Sequence, residues 1–80
     1  MSQRLPSLTP RQVLRAIEKA GWEIHRKRGS HVSLRKEGCP YVVTVPMHTR
    51  EMPRGTLMDI IKDAGLTPEE FARLLYAARA

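Results

Sequence analysis

The sequence predicts an α+β domain of order α-β-β-β-α-α, with a three-stranded antiparallel sheet and the helices packed on one face of it. Three observations carry this. Apolar residues recur at helical spacing at both ends of the chain, the middle third switches to alternation, and the alternating runs are joined by connections too short for parallel crossovers. Eighty residues leave room for one small core. Residues 1–80 therefore read as a single domain, with 1–8 a loose lead-in and 9–79 the folded unit.

The first helix announces itself by Thr9-Pro10-Arg11-Gln12: a hydroxyl cap, proline at the first helical position, and Gln three residues after the cap. Val13, Leu14, Ile17 and Ala20 follow at helical spacing, and Gly21 supplies the stop. Trp22, Ile24 and Arg26 then alternate with Glu23, His25 and Lys27, which is strand period. Gly29-Ser30 connects to His31–Lys36, whose Val32 and Leu34 share one face while His31, Ser33 and Arg35 share the other. After Glu37-Gly38-Cys39-Pro40, residues 41–45 read as a third strand rich in β-branched side chains. Pro46–Pro53 is a loop holding His48. Leu57, Ile60, Ile61 and Ala64 form an apolar stripe ending at Gly65, and Thr67-Pro68-Glu69-Glu70 starts a last helix through Phe71, Leu74 and Leu75. Trp22 is expected in the core. The open sheet face should display His31, Ser33 and Arg35.

Composition excludes several classes. Hydrophobic residues are 41% and charged ones 28% of the chain, a globular balance. The longest apolar runs are far short of the ~20 residues that span a bilayer, and no signal-peptide pattern is present, so no membrane association and a cytoplasmic location are expected. The single cysteine, Cys39, rules out an internal disulfide framework and a thiolate zinc cluster. Charge is more specific: nine basic and three acidic residues lie in 1–40, against five and five in 41–80, so the whole net charge of +6 comes from the first half. Arg26, Lys27, Arg28, Arg35 and Lys36 crowd one stretch, which points to an anionic partner such as nucleic acid or an acidic protein.

Few residues are available for chemistry. His25, His31 and His48 have no metal-ligand spacing, glycine-rich phosphate cradles are absent, and no metal or cofactor is expected. His31 follows Gly29-Ser30 at a strand start, among basic residues. Imidazole exchanges a proton near neutral pH, and RNA brings its own nucleophile in the 2′-hydroxyl, so a base, a proton donor and positive charge suffice for strand cleavage. The residue pattern alone leaves His31 open between that role and an exposed polar strand position. It leaves His48 open between capping a backbone group and helping at the site.

Three blocks, Gly21-Trp22…Arg26…Gly29-Ser30-His31, Val45-Pro46-Met47-His48 and Gly55-Thr56-Leu57…Ile60-Ile61-Lys62…Ala64-Gly65-Leu66, stand in an order and spacing that resemble the HicA (YcfA-like) family of toxin ribonucleases. The resemblance covers about Val13 to Leu75. It implies a double-stranded-RNA-binding-domain-like fold over 9–79, and an mRNA-cleaving toxin of a type II toxin–antitoxin pair, a monomer when free, held in a higher-order complex by a HicB-like antitoxin that covers its active site. The family's functional histidine falls on His31, and the surrounding Arg26, Lys27, Arg28, Gly29, Ser30, Arg35 and Lys36 become the expected RNA-binding residues. His48 matches a recurrent histidine and stands as an auxiliary candidate. Two other classes of function fit the same basic patch: a non-catalytic RNA-binding module, and a protein-interaction module for an acidic partner.

Overall fold

The computed structural model describes residues 5–77. Its elements are α1 (Pro10–Lys19), β1 (Glu23–Arg28), β2 (His31–Arg35), β3 (Val43–Pro46), α2 (Arg54–Asp63) and α3 (Pro68–Ala77). The strands form one antiparallel sheet in the order β1-β2-β3. This is the expected α-β-β-β-α-α order. Both ends of the proposed 1–80 span, residues 1–4 and 78–80, lie outside the described residues.

Local chemistry sets the helix limits. Thr9 caps α1 by a reciprocal pair of bonds: the Gln12 backbone N–H donates to Thr9 Oγ1 at 3.2 Å, and the Thr9 N–H donates to Gln12 Oε1 at 2.8 Å. Thr67 and Glu70 repeat the device at the start of α3, at 3.1 and 2.8 Å. At the other end of α1, the Gly21 N–H reaches the Glu18 carbonyl and the Trp22 N–H reaches that of Ile17. That double closure needs a residue at positive φ, and Gly21 supplies it at +101°. Trp22 is thereby turned into the core, 2% exposed, where its Nε1–H donates to the Ala64 carbonyl at the end of α2 at 3.3 Å.

Strand limits differ from the sequence pattern at β3. Residues 41–45 read as a strand, but pairing begins only where Val43 faces Leu34, and it continues to Pro46 facing His31. Tyr41 and Val42 are about half exposed and precede the ladder, whose first β3 residue is Val43 opposite Leu34. Likewise α2 starts at Arg54, after Pro53, so Gly55-Thr56 lies inside its first turn.

The core fills one side of the sheet. Val32 and Leu34 of β2 and Val43 and Val45 of β3 meet Val13, Ala16 and Ile17 of α1, Leu57, Ile60 and Ile61 of α2, and Phe71, Ala72 and Leu75 of α3. Both α1 and α2 pack on β3, and α3 packs on those two helices. Leu5 and Leu8, in the segment expected to be a loose lead-in, are buried in the same cluster, and the Leu8 carbonyl accepts the Met52 N–H at 2.7 Å. Two isolated leucines carry no period, so their burial leaves no trace in a pattern search. In contrast, β1 buries none of its residues and forms an edge exposed on both faces.

Candidate functional site

Positions on the open face follow from the ladder. Within β2, burial alternates: Val32 and Leu34 are buried, His31 and Arg35 exposed, Ser33 half-buried. Across the sheet His31 sits opposite Arg28 on β1 and Pro46 on β3, and Ser33 sits opposite Arg26 and Thr44. Side chains opposite each other share a face, so Arg26, Arg28, His31, Ser33 and Arg35 are displayed together.

An irregularity in β1 makes this possible. Strict alternation puts Arg26 with Trp22 and Ile24 on the helix side. The register instead shifts between Ile24 and Arg26, where His25 is an extra residue without a partner on β2. Such a bulge reverses the facing of everything after it. Ile24 still faces Leu34, but Arg26 and Arg28 arrive on the side of His31, and Lys27 is moved to the helix side, opposite Val32. Three consecutive basic residues are thus divided between two faces.

The two remaining basic candidates are also distinguishable. Arg35 lies on the open face directly opposite an acidic residue, Glu23, whereas Arg26 and Arg28 face Ser33 and His31. Lys36 is half-buried and runs along the end of α1, its Cε 3.2 Å from where a Cβ on Gly21 would stand. A positive charge at that end of a helix is favoured by the helix dipole, and the Lys36 side chain runs towards α1 and away from His31.

The β1–β2 turn and the loop after β3 converge beside His31. Gly29, at φ +58°, makes the tight turn that only a residue tolerant of left-handed backbone accepts easily. Ser30, next in the turn, accepts the Met47 N–H on its carbonyl at 2.6 Å, which fixes the loop leaving β3 against the turn. His48 is therefore held at the site: its ring centroid is 5.9 Å from that of His31, with 48° between the planes, and Ser30 Oγ is 3.5 Å from His48 Nδ1. The structure brings His31, His48 and Ser30 together, which sequence spacing left open. Among the described residues, no three His, Cys, Asp or Glu side chains gather as a metal site.

Comparison with known proteins adds a second kind of observation. Residues 10–66 match the sequence family described as HicA toxin of bacterial toxin–antitoxin. The chain belongs to the HicA toxin family. A search of curated proteins gives no significant match. As a HicA toxin it is the toxic member of a toxin–antitoxin pair, so an antitoxin is its partner. No helix among the described residues is long and apolar enough to cross a membrane.

The matched span of this HicA toxin includes all three converging residues. One feature near them was missed by the sequence reasoning. A shallow recess lined by Thr9, Pro10, Arg11, Met47, Thr49 and Arg50 opens between the start of α1 and the loop that carries His48. Arg11 and Arg50 come from segments far apart in sequence, so no local charge run announces them.

Proposed function

We propose that this HicA toxin is an endoribonuclease that cleaves mRNA without a metal ion or other cofactor, using His31 as general base. The observation that carries this reading is the placement of His31: exposed at the start of the central strand, on the sheet face that also carries Arg26 and Arg28, with a second imidazole beside it. His31 takes the proton of a 2′-hydroxyl, the oxygen attacks the adjacent phosphorus, and the arginines stabilise the anionic pentacoordinate state. The bond from phosphorus to the 5′-oxygen breaks, leaving a 2′,3′-cyclic phosphate on one product and a 5′-hydroxyl on the other.

The RNA backbone is gripped by Arg26 and Arg28, with Arg35 further along the face and the Gly29-Ser30 turn close to the scissile phosphate. Lys27 and Lys36 are lesser contributors, because register and packing turn them elsewhere. A HicB-like antitoxin neutralises the enzyme in the cytoplasm by covering this face, and a monomer is converted to a higher-order complex.

The test compares native protein with His31→Ala on a defined single-stranded RNA in EDTA, with analysis of the new ends. Cleavage by the native protein alone, ending in cyclic phosphate, is the expected result. Binding by both proteins with cleavage by neither would refute catalysis and leave a non-catalytic RNA-binding module.

A further inference from the structure

We propose that His48 is the general acid of this site and that Ser30 is its positioning residue. The inference rests on the ribonuclease reading of His31 and completes it, since a leaving 5′-oxygen needs a proton as much as the 2′-hydroxyl needs to lose one.

The neighbours of His31 leave one side chain suited to the task. Across the ladder it faces Arg28 and Pro46. A guanidinium does not give up its proton in proteins, and proline has none to give. His48 is exposed, and its ring lies 5.9 Å from that of His31 at a tilt of 48°. Two imidazoles at that separation can both lie against one phosphoryl group, each needing a heavy-atom approach of about 2.6–3.2 Å to its own oxygen. The tilt keeps the rings from stacking, so each can present an edge to the phosphate.

Ser30 fits the part of orienter because a hydroxyl can follow a change in proton state. While His48 is protonated, both its nitrogens are donors, and Ser30 Oγ accepts from Nδ1–H. After His48 has released a proton from Nε2 and become the neutral ring, Nδ1–H still donates to Ser30 Oγ; in the other neutral tautomer the hydroxyl rotates and donates to Nδ1. The 3.5 Å separation is at the outer limit of a hydrogen bond. Contacts of this kind tighten when substrate is bound. The backbone bond from Met47 N–H to the Ser30 carbonyl sets the pair in place independently of both side chains.

The step balances. The 2′-hydroxyl proton passes to His31, the 2′-oxygen–phosphorus bond forms, the bond from phosphorus to the 5′-oxygen breaks, and His48 supplies the proton that the leaving oxygen takes. His31 ends protonated and His48 neutral, and exchange with water resets both.

The experiment uses two single-stranded RNAs identical except at the scissile linkage, where one carries the ordinary 5′-oxygen and the other a bridging 5′-sulfur. A thiolate leaves without being protonated, so the sulfur substrate has no need of a general acid. His48→Ala is expected to lower cleavage of the oxygen substrate about 10²–10⁴-fold and to leave the sulfur substrate within a few-fold of native. His31→Ala is expected to lose both. Ser30→Ala should weaken cleavage of the oxygen substrate by a smaller factor, with recovery on the sulfur substrate and in Ser30→Thr. Equal losses on both substrates in His48→Ala, or no loss on either, would overturn the assignment while leaving the ribonuclease reading intact. Failure of the native protein to cleave either substrate would overturn both.

Discussion

Division of the basic run by the bulge gives a prediction with a calculable size. If RNA lies on the open face, Arg26 and Arg28 contact phosphates and Lys27, opposite the buried Val32, does not. Each phosphate neutralised on a single strand contributes about 0.7 to the slope of log affinity against log salt. Replacing both arginines by alanine should therefore flatten the slope by about 1.4. Over a fourfold change, from about 50 to about 200 mM salt, the native affinity should fall about 7-fold more than that of the double variant. Lys27→Ala should leave the slope where it was, although the formal charge removed is the same as in either single arginine variant. The assay is fluorescence anisotropy with a labelled single-stranded RNA methylated at its 2′-oxygens, so that it binds without being cut. A loss of slope in Lys27→Ala equal to that in Arg28→Ala would refute the argument, because it would mean that charge count and not sheet facing decides where RNA lies.

Three further predictions concern the scaffold, each read from chemical or thermal denaturation followed by circular dichroism. Trp22→Phe removes the bond to the Ala64 carbonyl and part of a core side chain, and should cost about 1–3 kcal/mol. Leu8→Ala should cost about 2–5 kcal/mol, as for other buried leucines; a negligible cost would show that the first residues do not belong to the core. Gly21→Ala places a Cβ at φ +101° and 3.2 Å from Lys36 Cε, and should cost about 1–3 kcal/mol. Lys36→Ala in the same background should relieve little of it, since the backbone conformation is the larger obstacle.

Much of the fold was legible because its signals are local and periodic. Both capping boxes, the glycine stop of α1 and the inward pair Val32 and Leu34 are set by neighbours within a few residues, and each is found where the pattern put it. What escaped depends on partners distant in sequence. The bulge at His25 exists because Ile24 must face Leu34 while Arg28 must face His31, which are demands made by β2 and invisible within β1. The late start of β3 is set by where pairing with Leu34 begins, and the burial of Leu5 and Leu8 reflects packing with the core cluster and Met52. At the site, His31 could be singled out from its basic surroundings. The position of His48 could not, because the Met47–Ser30 backbone bond that holds it joins two loops.

Core and site occupy opposite faces of the same short strand, and this has an energetic consequence. Val32 and Leu34 point into the apolar cluster while His31 and Ser33 point away from it; among the described residues no polar or charged residue is buried as a whole, and the buried hydroxyl without a partner, Thr49 Oγ1, lies in the loop after β3 and not on this strand. The proposed chemistry therefore places no unpaired polar group of this strand in a core too small to absorb the cost. His31→Ala and His48→Ala should accordingly unfold within about 0.5 kcal/mol of native, the range typical of surface substitutions. A destabilisation of 2 kcal/mol or more in either would show that the imidazoles help hold the β1–β2 turn to the loop after β3, and that the site is part of the scaffold. If both remain as stable as native, loss of cleavage in these variants measures chemistry alone. The same folded variants then separate antitoxin binding from RNA cleavage, since the face proposed for the partner changes by one side chain while the fold beneath it does not.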